Sequence, residues 1–212
     1  MVIFFNSNET DKFGVGSSKG WLMICDSEGV LSAEVSIPEA SAMTPANMLC
    51  LTVAGPIIGY PTTDLAEAMK RAQTEAAASG KRFGTPKFDS IVAAYDWELN
   101  ARWNVDLPPS GKMFGPRLAS TPVGETIATI AGLQDVAVLA FGNDGDVKWR
   151  IDEEQVPEFV TGLSVEDVAI FDETLYTFGH SSTMKAKSVF LNAYNISERK
   201  LKWRKAYKEK PE

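Results

Sequence analysis

What most constrains this chain is a strand-turn-strand unit that recurs along it. The period emerges when the tryptophans are lined up with the short apolar runs before them. Ala94-Tyr95-Asp96 is followed nine residues after Ala94 by Trp103, and Ala140-Phe141-Gly142 is followed at the same offset by Trp149. Ala193-Tyr194-Asn195 is followed at one residue more by Trp203. A degenerate copy, Ile24-Cys25-Asp26, has Ala33 at the nine-residue place, so its tryptophan position is empty. Repeats of this kind mean that one supersecondary unit, unable to bury its apolar face alone, is stacked against copies of itself.

Each copy follows the same physical logic. An apolar run comes first: Trp21 to Ile24, Ile91 to Tyr95, Val136 to Phe141, Val189 to Tyr194. A short polar segment rich in turn formers follows, such as Asp26-Ser27-Glu28-Gly29 or Gly142-Asn143-Asp144-Gly145-Asp146. Asp, Asn and Gly suit such places because they tolerate left-handed backbone or bond their own main chain. A second strand closes the hairpin: Val30 to Ile37, Arg102 to Val105, Val147 to Ile151, Leu201 to Ala206. In Val147-Lys148-Trp149-Arg150-Ile151 apolar and polar residues alternate strictly, the pattern of a half-buried strand.

Copies recur at roughly 45 to 70 residues, about the length of a four-stranded propeller blade. Val165 to Phe171 and Thr174 to Phe178, joined by the turn Asp172-Glu173, supply the two remaining strands of the last unit. Thr126 to Ile130 serves the unit before it, and Met48 to Val53 with Ile57 to Tyr60 the unit before that. The longest interval contains a helix over Asp64 to Ala78, about residues 63–80 with its flanks. Thr63 or Asp64 can cap it, Glu67 stands at capping-box spacing, Leu65, Met69 and Ala72 to Ala76 form a thin apolar face, and Gly80 stops it. The expectation is a mainly β fold over 1–212: one propeller-like array of about four blades with an inserted surface helix. A β-sandwich is the alternative, since short strands with regular turns suit it too.

These residues resemble the pyrroloquinoline-quinone-type propeller repeat, which carries Ala-x-Asp, a turn usually containing Thr-Gly, and Trp on the next strand. Ala193-x-Asn195 with Trp203 keeps the family spacing, and Ala94-x-Asp96 with Trp103 is one residue shorter. Gly142 replaces the Asp in one copy, the Thr-Gly pair is missing throughout, and the first copy lacks its Trp. The resemblance implies that Trp103, Trp149 and Trp203 dock between neighbouring blades. It does not imply the cofactor.

The first unit is short, with only Val2 to Asn6 ahead of the strand at Trp21. An array that does not close exposes strand edges and apolar blade faces, and such surfaces call for a partner.

Candidate chemistry is sparse. His180, the only histidine, lies in Phe178-Gly179-His180-Ser181-Ser182 and reads as a polar loop residue after a strand. A Ser-His pair would still need an orienting acid, and one histidine without a thiolate cluster builds no ordinary zinc site. Gly14 to Gly20 mimics a phosphate loop, but with the wrong spacing and a loop-to-strand context; it reads as a hairpin connection. Asn143 to Asp146 lacks the later bidentate Glu of a calcium loop and reads as a tight turn. No catalytic, cofactor or metal residue is assigned. Cys25 and Cys50 read as two buried free thiols, which fits a reducing compartment.

The net charge of −7 argues against nucleic acid and anionic membrane surfaces as partners. No apolar stretch approaches the ~20 residues of a membrane-spanning helix, and the amino-terminal run is too short for a classical signal peptide. The expected location is the cytoplasm or a macromolecular assembly such as a virion. Charge is uneven. Asp144, Asp146, Asp152, Glu153, Glu154, Glu158, Glu166, Asp167, Asp172 and Glu173 make the region of the last two units acidic, and Arg199, Lys200, Lys202, Arg204, Lys205, Lys208 and Lys210 make a basic C-terminal tail over about 199–212. The functional expectation is a non-enzymatic protein-protein interaction or assembly module that takes a protein partner or self-associates, acidic flank to basic tail. A small-ligand or glycan-binding propeller is the alternative, with Trp97 as its exposed aromatic. A quinoprotein-type enzyme is disfavoured by chain length and by the lack of a clustered site.

Overall fold

The computed structural model of the chain describes residues 1–10, 16–37, 49–63, 65–80, 82, 84, 86–110, 116–121, 124, 126–131, 136–151, 163–183 and 186–208. They form a mainly β structure with one helix, in two compact units, Met1–Pro116 and Arg117–Glu212. The first unit holds β1 (Val2–Thr10), β2 (Gly16–Cys25) and β3 (Leu31–Ile37) as a three-stranded sheet. It also holds β4 (Leu49–Thr52), β5 (Gly55–Pro61), α1 (Leu65–Ser79), β6 (Phe88–Tyr95) and β7 (Ala101–Ser110), whose strands form a four-stranded sheet in chain order. The second unit carries β8 (Arg117–Ser120), β9 (Thr126–Ala131), β10 (Val136–Phe141) and β11 (Val147–Ile151) as a third sheet. Its fourth sheet is β12 (Leu163–Phe171), β13 (Thr174–Thr183), β14 (Ala186–Asn195) and β15 (Lys200–Lys208). All four sheets are antiparallel meanders, and none closes on itself.

The period read from the sequence is the period of the sheets. Ala94 faces Trp103, Ala140 faces Trp149, Ala193 faces Trp203, and in the degenerate copy Ile24 faces Ala33. In all four the register then shifts by a bulge at the next residue: between Ala94 and Tyr95, Ala140 and Phe141, Ala193 and Tyr194, and Ile24 and Cys25. The turns explain the bulge. Gly29 (φ 83°), Leu99 (φ 63°), Gly145 (φ 86°) and Arg199 (φ 56°) occupy the same place with left-handed backbone, and a left-handed residue closing a type I turn inserts one extra residue into the ladder. The Asp26 side chain accepts from the amides of Glu28 and Val30, and Asp96 from those of Glu98 and Asn100. Asn195 accepts from the Glu198 amide. Where Gly142 replaces that residue, Asp144 takes over, accepting from the Asp146 amide and from Lys148 Nζ.

In each unit the sheets pack face to face. Phe4, Leu22 and Ile37 of the first sheet meet Ile58, Tyr60, Ala93 and Tyr95 of the second, with Leu99 in the same cluster. Val138, Ala140, Trp149 and Ile151 of the third sheet meet Leu175 and Tyr194 of the fourth. In the first unit the side with Ile24 and Ala33 packs against the side with Tyr95, and in the second the side with Ala140 and Trp149 packs against the side with Tyr194.

Helix α1 lies close to its expected place, and Gly80 (φ 63°) ends it. Its buried line is Ala68 and Ala72 with Met69 and Ala76 half-buried, so the expected face holds in part, while Leu65 points to solvent and Ala68 was not expected. Thr63 does not cap it: its hydroxyl donates to Asp89 Oδ2 and accepts from the Asp89 amide. Arg71 pairs with both Glu67 and Asp89, tying α1 to β6. That guanidinium, ahead of the Thr63 bond, holds the Asp89 carboxyl below its usual range. Asp64 lies outside the described residues.

One further expectation is corrected, one expected strand is longer and one strand is new. Within the basic stretch, the strand expected over Leu201 to Ala206 runs from Lys200 to Lys208 and pairs with β14. His180 is not in a loop: β13 runs on through Thr183, pairing His180 with Ser164 and Val189. Strand β8, unread in the sequence, pairs with β9.

Candidate functional site: the outer face of the fourth sheet

Because strand side chains alternate between faces, the register sorts the described side chains of β12–β15. Val168, Ile170, Leu175, Tyr194 and Leu201 point toward the third sheet. The opposite face carries Asp167, Ala169 and Phe171 on β12 and Tyr176 and Phe178 on β13. It continues with Val189, Leu191 and Ala193 on β14 and with Trp203, Lys205 and Tyr207 on β15. Phe178 is 45% exposed, Val189 40% and Tyr207 60%. Single exposed apolar residues are ordinary on a protein surface, but a contiguous apolar face is not.

The three repeat tryptophans meet different fates. Trp149 is 8% exposed, buried in the cluster between the third and fourth sheets. Trp103 is half-buried on β7. Trp203 is 38% exposed; its ring lies 6.1 Å from that of Tyr176, tilted at 57°, with Lys205 Nζ 5.7 Å from its centroid. That stacking covers Ala193, which is fully buried, and leaves the outer surface of the indole bare.

The basic residues of β15 and its turn do not share one face. Arg199 occupies the turn, and Lys200 and Lys205 are exposed. Lys202 donates to Thr174 Oγ1. Arg204 turns to the inner side, where its Nε donates to Asn192 Oδ1 and Asn192 Nδ2 donates to Thr177 Oγ1. Only Lys205 lies among the exposed aromatics. Of the acidic set, Asp167, Asp172 and Glu173 are exposed, while 152–154 and 158 lie outside the described residues. Trp97 is in the turn after β6 as expected, and its indole N–H is committed to the Val53 carbonyl at 3.0 Å. The sequence missed Phe178, Val189 and Asp167 as a set. Strand alternation was the available signal, but it does not tell which face is covered.

Cys25 and Cys50 are both unbonded and buried, and burial pushes the Cys50 thiol up to about 12, which keeps it protonated and unreactive at neutral pH. Among the described residues no group of three or more His, Cys, Asp or Glu could hold a metal ion. The Asn143–Asp146 segment is a turn in which Gly145 N donates to Gly142 O. Among those residues no helix is long and apolar enough to cross a membrane. No protein-family model and no curated protein matches the chain.

Proposed function

We propose that the four sheets are blades of a propeller-type array and that the chain is a non-enzymatic docking module whose contact surface is the outer face of β12–β15. One observation carries the reading. The Ala–Trp face of the third sheet is packed beneath the fourth, and its equivalent around Ala193 and Trp203 leaves its aromatics exposed. Burying such a face releases about 25 cal/mol per Å² of apolar surface, and tryptophan and tyrosine are the residues that most often dominate interface energetics. The shared bulge and turn support the blade assignment, since they place an Ala–Trp pair in three sheets, and Ile24 with Ala33 in the first, at the same spot.

A photo-crosslinking residue at Phe178 tests this, with the same residue at exposed Val147 as control, in the organism that makes the chain. The expected result is a protein adduct from position 178 and none from 147. Equal adducts from both, or none from either, would sink the reading.

A further inference from the structure

The outer face of the fourth sheet has a pattern along its cross-strand rows that goes beyond being apolar. One row runs Asp167, Phe178, Leu191, Lys205 from β12 to β15: acid, apolar, apolar, base. The next runs Ala169, Tyr176, Ala193, Trp203: small, large, small, large. Both rows are complementary to their own reversal. Reversed and laid face to face, the first sets each Lys205 over an Asp167 and each Phe178 over a Leu191. The second sets each Trp203, bare on its outer surface, over an exposed Ala169, while Ala193 is already covered by the Tyr176 and Trp203 of its own chain.

We propose that the occupant of this face is the same face of a second copy of the chain, in a two-fold dimer whose axis runs parallel to the strands, between β13 and β14. The proposal rests on the docking reading above and names its partner. A two-fold rotation about that axis reverses strand order while keeping each row at its own height, which is the operation both patterns need. Interfaces of this self-matching kind are the commonest in soluble homo-oligomers, and aligned sheet-on-sheet packing accommodates the geometry at about 30° between strand directions.

The charges also explain a departure from the repeat. Lys205 stands two residues after Trp203, where the third sheet has the buried Ile151 two residues after Trp149. A lysine is out of place beneath a neighbouring blade, but it fits opposite an exposed carboxylate across an interface. Asp167 is exposed, and its Oδ1 is engaged only with the neighbouring Val168 amide among the bonds described here. Two such ion pairs per dimer make the association reversible and sensitive to salt.

The test is light scattering behind size exclusion on the purified full chain and three charge variants: Lys205→Glu, Asp167→Lys, and the double swap. Both sites are exposed, so folding, checked by circular dichroism, is expected to be unchanged. The wild type should be a dimer at low salt, with a dissociation constant that rises in high salt. Each single variant should weaken dimerisation about tenfold or more, by setting like charges face to face. The double swap should restore the homodimer. An equimolar mixture of the two single variants should form a heterodimer, because both of its ion pairs are then matched. Any of three results would overturn the proposal: a monomeric wild type at all concentrations, larger open oligomers that mark a head-to-tail contact, or single variants that dimerise as the wild type does. A monomer that still gives a crosslink to a different protein from position 178 would remove the second copy and leave the docking reading intact; loss of that crosslink would remove both.

Discussion

The third and fourth sheets are the same piece of chain built twice, with different surroundings. Both are four-stranded meanders with an alanine facing a tryptophan, a bulge at the next residue and a left-handed residue in the turn. In the third, that face is closed over by Leu175 and Tyr194. In the fourth it stays open, with Trp203 leaning on Tyr176. An identical local code thus yields a core position in one place and a surface in the other. The lesson is that the local pattern builds the same face in both sheets, while the presence of a neighbour decides whether that face becomes core.

The sharpest way to break the comparison is to delete both indoles. Trp149→Ala should cost about 3–5 kcal/mol, the usual range for emptying an aromatic site in a core. Trp203→Ala, measured in dilute solution, should cost no more than about half of that, because much of its surface is already in water. Urea denaturation followed by near-ultraviolet dichroism measures both. Equal losses would show that the two faces are not in different environments.

A second difference lies one residue earlier. The third sheet has Leu139 where the fourth has Asn192, both buried. Asn192→Ala takes an acceptor from Arg204 Nε and a donor from Thr177 Oγ1, so the expected loss is about 2–3 kcal/mol. A double-mutant cycle with Thr177→Val reads the coupling, and additive losses would argue that the row is not a connected network.

The turns differ more gently. Arg199 holds left-handed backbone where the third sheet uses Gly145. Arg199→Gly should stabilise by up to about 1 kcal/mol, and Gly145→Ala should destabilise by a similar amount. Thermal unfolding of the pair reports both, and shifts of the same sign would refute the shared geometry.

The smallest effect is one of pH. The Asp146 amide, with Lys148 in second place, holds the Asp144 carboxyl below the ordinary range near ~3.9. A depressed folded value means a contribution that is complete above the unfolded value and disappears as pH falls through the folded one. Acid should therefore loosen the third sheet's turn and leave the fourth's alone, because its cap, Asn195, carries no proton to gain. Hydrogen exchange at the amides of Asp146 and Glu198, corrected for the intrinsic pH dependence, measures this. Asp144→Asn should abolish the difference.

Much of the fold is legible in the sequence because its determinants are local. The nine-residue offset from Ala140 to Trp149 is what a strand, a tight turn and a returning strand require, and the ten-residue offset from Ala193 reflects a turn that is one residue longer. Strands β10 and β11 coincide with their expected bounds, since alternation and turn chemistry act over a few residues. What was not legible depended on partners distant in the chain. Gly179 to Thr183 is small and polar and reads as a loop, yet backbone pairing with β12 and β14 carries it as strand. Arg204 looks like one more surface cation until Asn192, across the ladder, draws it to the inner side. Thr63 looks like a helix cap until Asp89 claims its hydroxyl.

By itself, then, the sequence determined the unit: its strand lengths, its turns, the alanine that faces a tryptophan and the helix set into the second copy. These follow from backbone preferences and side-chain alternation, which need no distant partner. Only the tertiary structure decided which copy of the docking face is buried and which is open, and so where Asp167, Tyr176, Lys205 and Trp203 come together. Burial belongs to the pairing of whole sheets, and no residue carries within its own neighbourhood the information of what will lie across from it.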